Sequence, residues 1–129
     1  MVKANNYLLD THVLIWWLEN NPKLSREGYD LINNGENNIY ISSATIWEIS
    51  IKSSLNKLKI ASNYLDILRK NNFLDLNINF THTVNVENLP YHHHDPFDRM
   101  LITQAKIENL TIITHDQKFS RYDVLVAMV

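Results

Sequence analysis

The sequence contains no cysteine. That excludes disulfides, thiolate nucleophiles and thiolate metal sites, so any bound metal must use oxygen or imidazole ligands. It also lacks a long apolar run. No stretch approaches the ~18 consecutive apolar residues of a membrane span. The opening MVKANNYLLD has neither the apolar region nor the small-residue cleavage site of a secretory leader, so a cytoplasmic location away from membranes is expected. An excess of one charge is missing too. Twelve basic against fourteen acidic residues leave a net charge of -2, which excludes a global basic field for nucleic acid. A loose basic cluster at Lys52, Lys57, Lys59, Arg69 and Lys70 reads as a solvated helix face or a local basic surface. With two glycines and three prolines, turns must come from another residue. Asn-Asn pairs stand at 5-6, 20-21, 33-34, 37-38 and 71-72, and asparagine tolerates turn and left-handed conformations.

What is present is 129 residues, 45% apolar and 20% charged, the size and composition of one globular domain spanning 1-129. Between the asparagine pairs, short apolar strands alternate with amphipathic helices. YLLD (7-10) reads as a buried strand, followed by a helix in HVLIWWLEN and another from Ser25 to Asn33. NIYIS (38-42) is a strand, and Ser43 is the expected N-cap of a helix over 43-55. A helix over 62-71, a strand over 73-78 and a short helix over 81-89 follow. PFDRMLITQAKIEN (96-109) has a strong helical period, LTIITHD (110-116) is a strand ending in polar residues, and DVLVAMV (123-129) is a terminal strand or a final short element. Alternating strands and helices imply an α/β fold with a mostly parallel sheet covered on both faces. Ligands bind such sheets beyond the carboxyl ends of the strands.

Four carboxylates stand where that rule directs attention. Asp10 and Asp116 each follow an apolar strand, and each has a bland account as the cap of the next turn or helix. Glu48 lies within about 60° of Ala44, Ile51 and Leu55 on a helical wheel, and Asp98 within about 60° of Leu101, Ile102 and Ala105. Carboxylates on core-facing sides are rare unless paired or bound to a metal. An internal ion pair, with Arg99 for example, would account for Glu48, and a third-position acid at a helix N-terminus for Asp98. Together the bland accounts require four separate coincidences, whereas one parallel sheet can converge all four acids on one cleft. An all-oxygen cluster suits Mg²⁺ or Mn²⁺. Such an ion would polarise a phosphodiester and activate a water, and would also relieve four mutually repelling charges.

The run His92-His93-His94 catches the eye but is expected to do no chemistry. In an extended segment His92 and His94 share a face while His93 points away. His12 and His115, beside the strand-end acids, have surface or capping roles as their simplest reading.

YLLDTHVLIWWL, ISSATIWEISIK, HHHDPFDRMLITQA and LTIITHDQKF together resemble PIN-domain proteins, and specifically the VapC-type toxins of type II toxin-antitoxin systems. The similarity covers nearly the whole chain, with Asp-Pro-Phe-Asp-Arg ahead of an Ile-x-x-Ala helix as its most specific part. It implies a Rossmann-like three-layer α/β/α sandwich and a metal-dependent endoribonuclease. The family's acidic positions fall on Asp10, Glu48, Asp98 and Asp116, and its hydroxyl positions on Thr11 and Thr114. Asp95 is also frequent in the subgroup, although a helix cap followed by Pro96 accounts for it here. The resemblance further implies a homodimer and a complex with a small antitoxin protein.

The leading expectation is therefore a ribonuclease toxin dependent on Mg²⁺ or Mn²⁺, with Asp10, Asp98 and Asp116 as principal ligands. Glu48 would hold a metal water or act as base. Lys52, Arg99, Lys118 and Arg121 are the candidates for contact with RNA. A non-catalytic PIN-like module that binds RNA or protein is the alternative. A phospho-accepting receiver domain fits less well, since Asp10 stands alone after its strand and no lysine ends the last one.

Overall fold

The computed structural model describes residues 5–129; the first four residues of the stretch read above as lacking a leader lie outside it. The chain runs β1 (Asn5–Leu9), α1 (Thr11–Glu19), α2 (Arg26–Asn33), β2 (Asn37–Ser42), α3 (Ser43–Ser54), α4 (Tyr64–Lys70) and β3 (Leu74–Leu76). It continues through α5 (Phe80–Asn85), α6 (Pro96–Glu108), β4 (Thr111–Thr114) and β5 (Val126–Met128), with 3-10 turns at Val86–Asn88 and Gln117–Arg121. The five strands form one parallel sheet in the order β3-β2-β1-β4-β5.

Alternation along the strands explains why both faces are covered. Leu9 and Ile113 pack with Val13, Leu14, Ile32, Ile49 and Leu68 of α1 to α4 on one side. Their neighbours Leu8 and Ile112 pack with Leu101, Ile102 and Ala105 of α6 on the other. Consecutive strand residues point to opposite faces, so two apolar faces require two helical layers. The result is the expected three-layer α/β/α sandwich.

Asparagine does take the place of glycine. All four positive-φ residues among those described are asparagines: Asn20, Asn56, Asn72 and Asn109. After each, the next N–H returns to a carbonyl five residues back: Asn21 to Trp16, Lys57 to Lys52, Phe73 to Leu68 and Leu110 to Ala105. That bond closes the helix end, and asparagine reaches the left-handed region at lower cost than most residues with a side chain.

Several boundaries shift inward. The helix expected over 62-71 begins at Tyr64, the strand over 73-78 is only Leu74–Leu76, and the strand over 110-116 ends at Thr114. The helix expected over 81-89 is α5 with the 3-10 turn behind it. Ser42, not Ser43, caps α3, accepting from the N–H of Ala44. Ser43 Oγ instead accepts from the N–H of Ile78, tying α3 to the segment after β3.

The strand order places the site. From β1 the chain moves outward to β2 and β3, then crosses back to β4 on the other side of β1. The connections leaving β1 and β4 therefore diverge and leave a crevice at their carboxyl ends. Asp10 follows β1 and His115-Asp116 follows β4.

Candidate metal centre

Asp10 occupies the N-cap position of α1, yet its side chain makes no capping bond there. The simple capping account therefore does not describe it. The carboxylate is buried; Thr114 Oγ1 donates to its Oδ2 at 2.8 Å, while Oδ1 has no partner. The same Thr114 oxygen accepts from the N–H of Asp116 at 3.0 Å. One hydroxyl thus links both strand-end acids. Asp116 also fulfils the capping role considered for it, since Oδ1 accepts from the N–H of Lys118 at 2.9 Å.

Glu48 is buried on α3. Its ion-pair partner is not Arg99 but Lys52, one turn further along, at 2.8 Å from Oε2. Its Oε1 is buried without a partner. Thr11 Oγ1 lies 3.0 Å from Thr45 Oγ1, joining the start of α1 to the first turn of α3. Ser42 Oγ donates to Gln104 Oε1 at 2.5 Å, so the helices carrying Glu48 and Asp98 are held against each other.

Asp95 caps α6 as expected, with Oδ1 accepting from the N–H groups of Phe97 and Asp98 at 2.8 and 3.0 Å. Pro96 takes the first helical position, where a missing N–H costs nothing. Asp98 is thereby fixed in the first turn. Burial is the main cause that pushes its carboxyl up to about 8, and the charges of Asp10, Asp95, Glu48 and Asp116 add to it. Asp10, Glu48 and Asp116 thus lie near enough for their charges to bear on Asp98. Burial likewise raises Asp10, partly opposed by the Thr114 hydrogen bond and the charge of His12.

His93, set aside with the rest of the histidine run, lies beside two of the acids. Its Nε2 lies 2.9 Å from Asp98 Oδ2 and 3.3 Å from Asp116 Oδ2, with the ring edge-on to Phe119. One nitrogen of His93 and one carboxylate oxygen each of Asp98 and Asp116 lie within 4.8 Å of one another. The run forms no shared three-histidine site, since His92 lies edge-on to Tyr122 and His94 stacks on Tyr91. The His93 N–H donates to Tyr122 Oη at 2.7 Å, and the Asp95 cap fixes the chain two residues later. The signal available in the sequence was proximity to that cap: a residue just ahead of a helix N-terminus can turn toward its first turn.

Arg99 is a second correction. It is buried, and its guanidinium donates to the carbonyls of Pro90, Leu89, Val86 and His93 at 2.9 to 3.4 Å while lying over the ring of Tyr91. Buried under these bonds, it holds the entry loop of α6. Lys52 is about one-third exposed beside Glu48, whereas Lys118 and Arg121 are exposed in the 3-10 turn behind Asp116.

The donor set fits a hard divalent cation. Two buried carboxylate oxygens, Asp10 Oδ1 and Glu48 Oε1, lack any partner, and the charges of both acids bear on Asp98, which shares His93 Nε2 with Asp116. Uncompensated buried charge of this kind is costly without a cation.

An acidic crevice at the switch point of a parallel α/β/α sandwich defines a class of cleft-bearing Rossmann-like proteins. The sequence matches the PIN domain over residues 7–125, and the chain belongs to that family. Solved structures share the fold. A VapBC2 complex from Rickettsia felis bound to a promoter DNA fragment is similar at a TM-score of 0.71 and 20% identity, covering 95% of this chain and 98% of that one. A DNA-bound VapBC from Salmonella typhimurium gives 0.69 and 19%, covering 96% and 98%. A toxin-antitoxin complex from Klebsiella pneumoniae gives 0.66 and 18%, covering 95% and 96%. No curated protein matches the chain. Among the described residues no helix is long and apolar enough to cross a membrane.

Proposed function

We propose that the chain is a single-domain VapC-type toxin, a cytoplasmic endoribonuclease dependent on Mg²⁺ or Mn²⁺. The observation that carries this reading is the pair of buried, unpartnered oxygens, Asp10 Oδ1 and Glu48 Oε1, in a cleft that also contains Asp98 and Asp116. PIN domains generally use a divalent metal. Asp10, Asp98 and Asp116 would hold the ion, with Glu48 and the hydroxyls of Thr11 and Thr114 in support.

When bound, the cation supplies Lewis-acid polarisation of the phosphodiester and lowers the pKa of the attacking water. The chain's own residues do the rest. Thr114 occupies one oxygen of Asp10 and leaves the other free. Glu48, with one oxygen held by Lys52, keeps its second oxygen to accept a proton or orient a water. The Asp95 cap and the Arg99 anchor fix α6 so that Asp98 faces the crevice. Lys118 and Arg121 stand on the rim, where exposed cations attract a phosphate backbone.

The same reading includes a homodimer and a small antitoxin as partners. Its support is the toxin-antitoxin complexes among the similar structures and an apolar surface beside the cleft. Trp47, Phe80 and Tyr91 are 61%, 90% and 71% exposed. A groove of about 420 Å³ lies there, lined by Ala44, Trp47, Phe97 and Met100 among others. Exposed apolar patches of this kind mark protein interfaces.

Incubation of the purified chain with RNA and Mg²⁺ or Mn²⁺ tests the activity. Cleavage that is lost in Asp10→Asn and on chelation is expected; equal cleavage by parent and variant would overturn the mechanism.

A further inference from the structure

We propose that His93 is a built-in occupant of the cation position, its Nε2–H standing between Asp98 and Asp116 until a metal displaces it. The inference rests on the cation reading above. Three contacts fix the ring. Nε2 faces Asp98 Oδ2 at 2.9 Å and Asp116 Oδ2 at 3.3 Å, and Nδ1 accepts from the N–H of Asp95 at 3.3 Å.

The last contact determines the tautomer. An acceptor at Nδ1 leaves the hydrogen of the neutral ring on Nε2, directed at two carboxylate oxygens. A nitrogen that carries hydrogen has no lone pair for a metal. For His93 to ligate through Nε2, its hydrogen would have to move to Nδ1, where it would meet the Asp95 N–H head-on. The ring is therefore a donor to the acids and a competitor of the ion, not a ligand beside them. Its hydrogen bonds to Asp98 and Asp116 supply part of the compensation a cation would give.

The loop is built to keep the ring there. The His93 N–H is bound to Tyr122 Oη, its carbonyl accepts from Arg99, and its ring packs edge-on against Phe119. The backbone is anchored on both sides, so displacement requires rotation of the side chain alone. His93 is thus a positioning residue that sets the threshold for metal loading.

The test is calorimetric titration of Mn²⁺ into the metal-free parent, His93→Ala and His93→Gln, at a pH where an ordinary imidazole is neutral. Glutamine keeps an N–H donor; alanine removes it. The expected result is binding by His93→Ala about tenfold tighter than the parent, with His93→Gln close to the parent. A second readout uses the parent alone. The Nε2–H of His93 should be visible by nitrogen-15 NMR in the metal-free protein and lose its hydrogen-bonded shift when Mg²⁺ saturates the site. Equal or weaker binding by His93→Ala, or an Nε2–H unchanged at saturation, would overturn the inference while leaving the cation reading intact. No Mn²⁺ uptake by any of the three proteins would overturn both.

Discussion

Thr114 and Asp10, 104 residues apart in sequence, are joined by a hydroxyl-to-carboxylate hydrogen bond of 2.8 Å across the ends of β4 and β1. The bond spans the switch point of the sheet, and the same oxygen receives the N–H of Asp116. Thr114→Val keeps the volume but leaves Asp10 Oδ2 without its donor and the Asp116 N–H without its acceptor. Loss of buried partners of this kind costs about 1–3 kcal/mol. Urea unfolding should show that loss in the metal-free protein, accompanied by weaker Mn²⁺ binding. Thr114→Ser should recover most of both.

Asp98 should make the metal-free fold lose stability as pH rises from mildly acidic to about 8. Its carboxyl is pushed up to about 8 by burial and by its acidic neighbours, from an ordinary value of 3.8. Between those values the folded state holds a proton that the unfolded chain has released, so stability falls as pH rises through the window. Asp98→Asn removes its share of the dependence. In chelator, the variant should gain stability over the parent between pH 5 and pH 8, by at least about 1 kcal/mol. Thermal unfolding at the two pH values measures the gap; a constant difference would contradict it. Metal changes the sign of the comparison. Cation competes with the proton, so Mn²⁺ affinity of the parent should rise with pH and level off above about 8.

How much of this was legible in the sequence follows from how local each signal is. The strands and helices were readable because apolar spacing repeats every two or 3.6 residues, and Asp10, Glu48 and Asp98 could be placed by strand ends and helix faces. Asparagine pairs marked two of the helix ends that depend on positive φ, Asn20 and Asn72. Asn56 and Asn109 were not marked, since neither belongs to a pair. The approach of His93 to the acids was not legible, because its direction depends on Tyr122 and on the Asp95 cap, contacts outside any periodic element. Arg99 was misread for a related reason. Sequence shows a charge in a helix but not the carbonyls of residues 86-93 folding back over it, and that loop has no period to project.

Arg99 should matter for stability and not for RNA. Its guanidinium satisfies four backbone carbonyls, and lysine cannot reproduce a planar fork with that many donors. Arg99→Lys and Arg99→Leu should both destabilise the chain by about 1–3 kcal/mol, because the partly buried carbonyls lose their donors. Differential scanning calorimetry gives the measurement. An unchanged melting temperature in Arg99→Lys would mean that the loop stands without the anchor.

Lys118 and Arg121 should behave in the opposite way. Both are exposed in the turn that follows Asp116, so replacing them with glutamate should move stability by no more than about 0.5 kcal/mol. RNA binding should respond strongly if the rim guides the phosphate backbone past the acids. Each phosphate contact with a single strand contributes about 0.7 to the slope of log affinity against log salt. Removing two contacts should lower that slope by about 1.4 and weaken binding at low salt more than at high salt. The measurement is a salt series of RNA affinities with the catalytically silent Asp10→Asn background, which keeps substrate intact. A double variant with the parent's slope would move the RNA path to the other side of the crevice, toward Lys52.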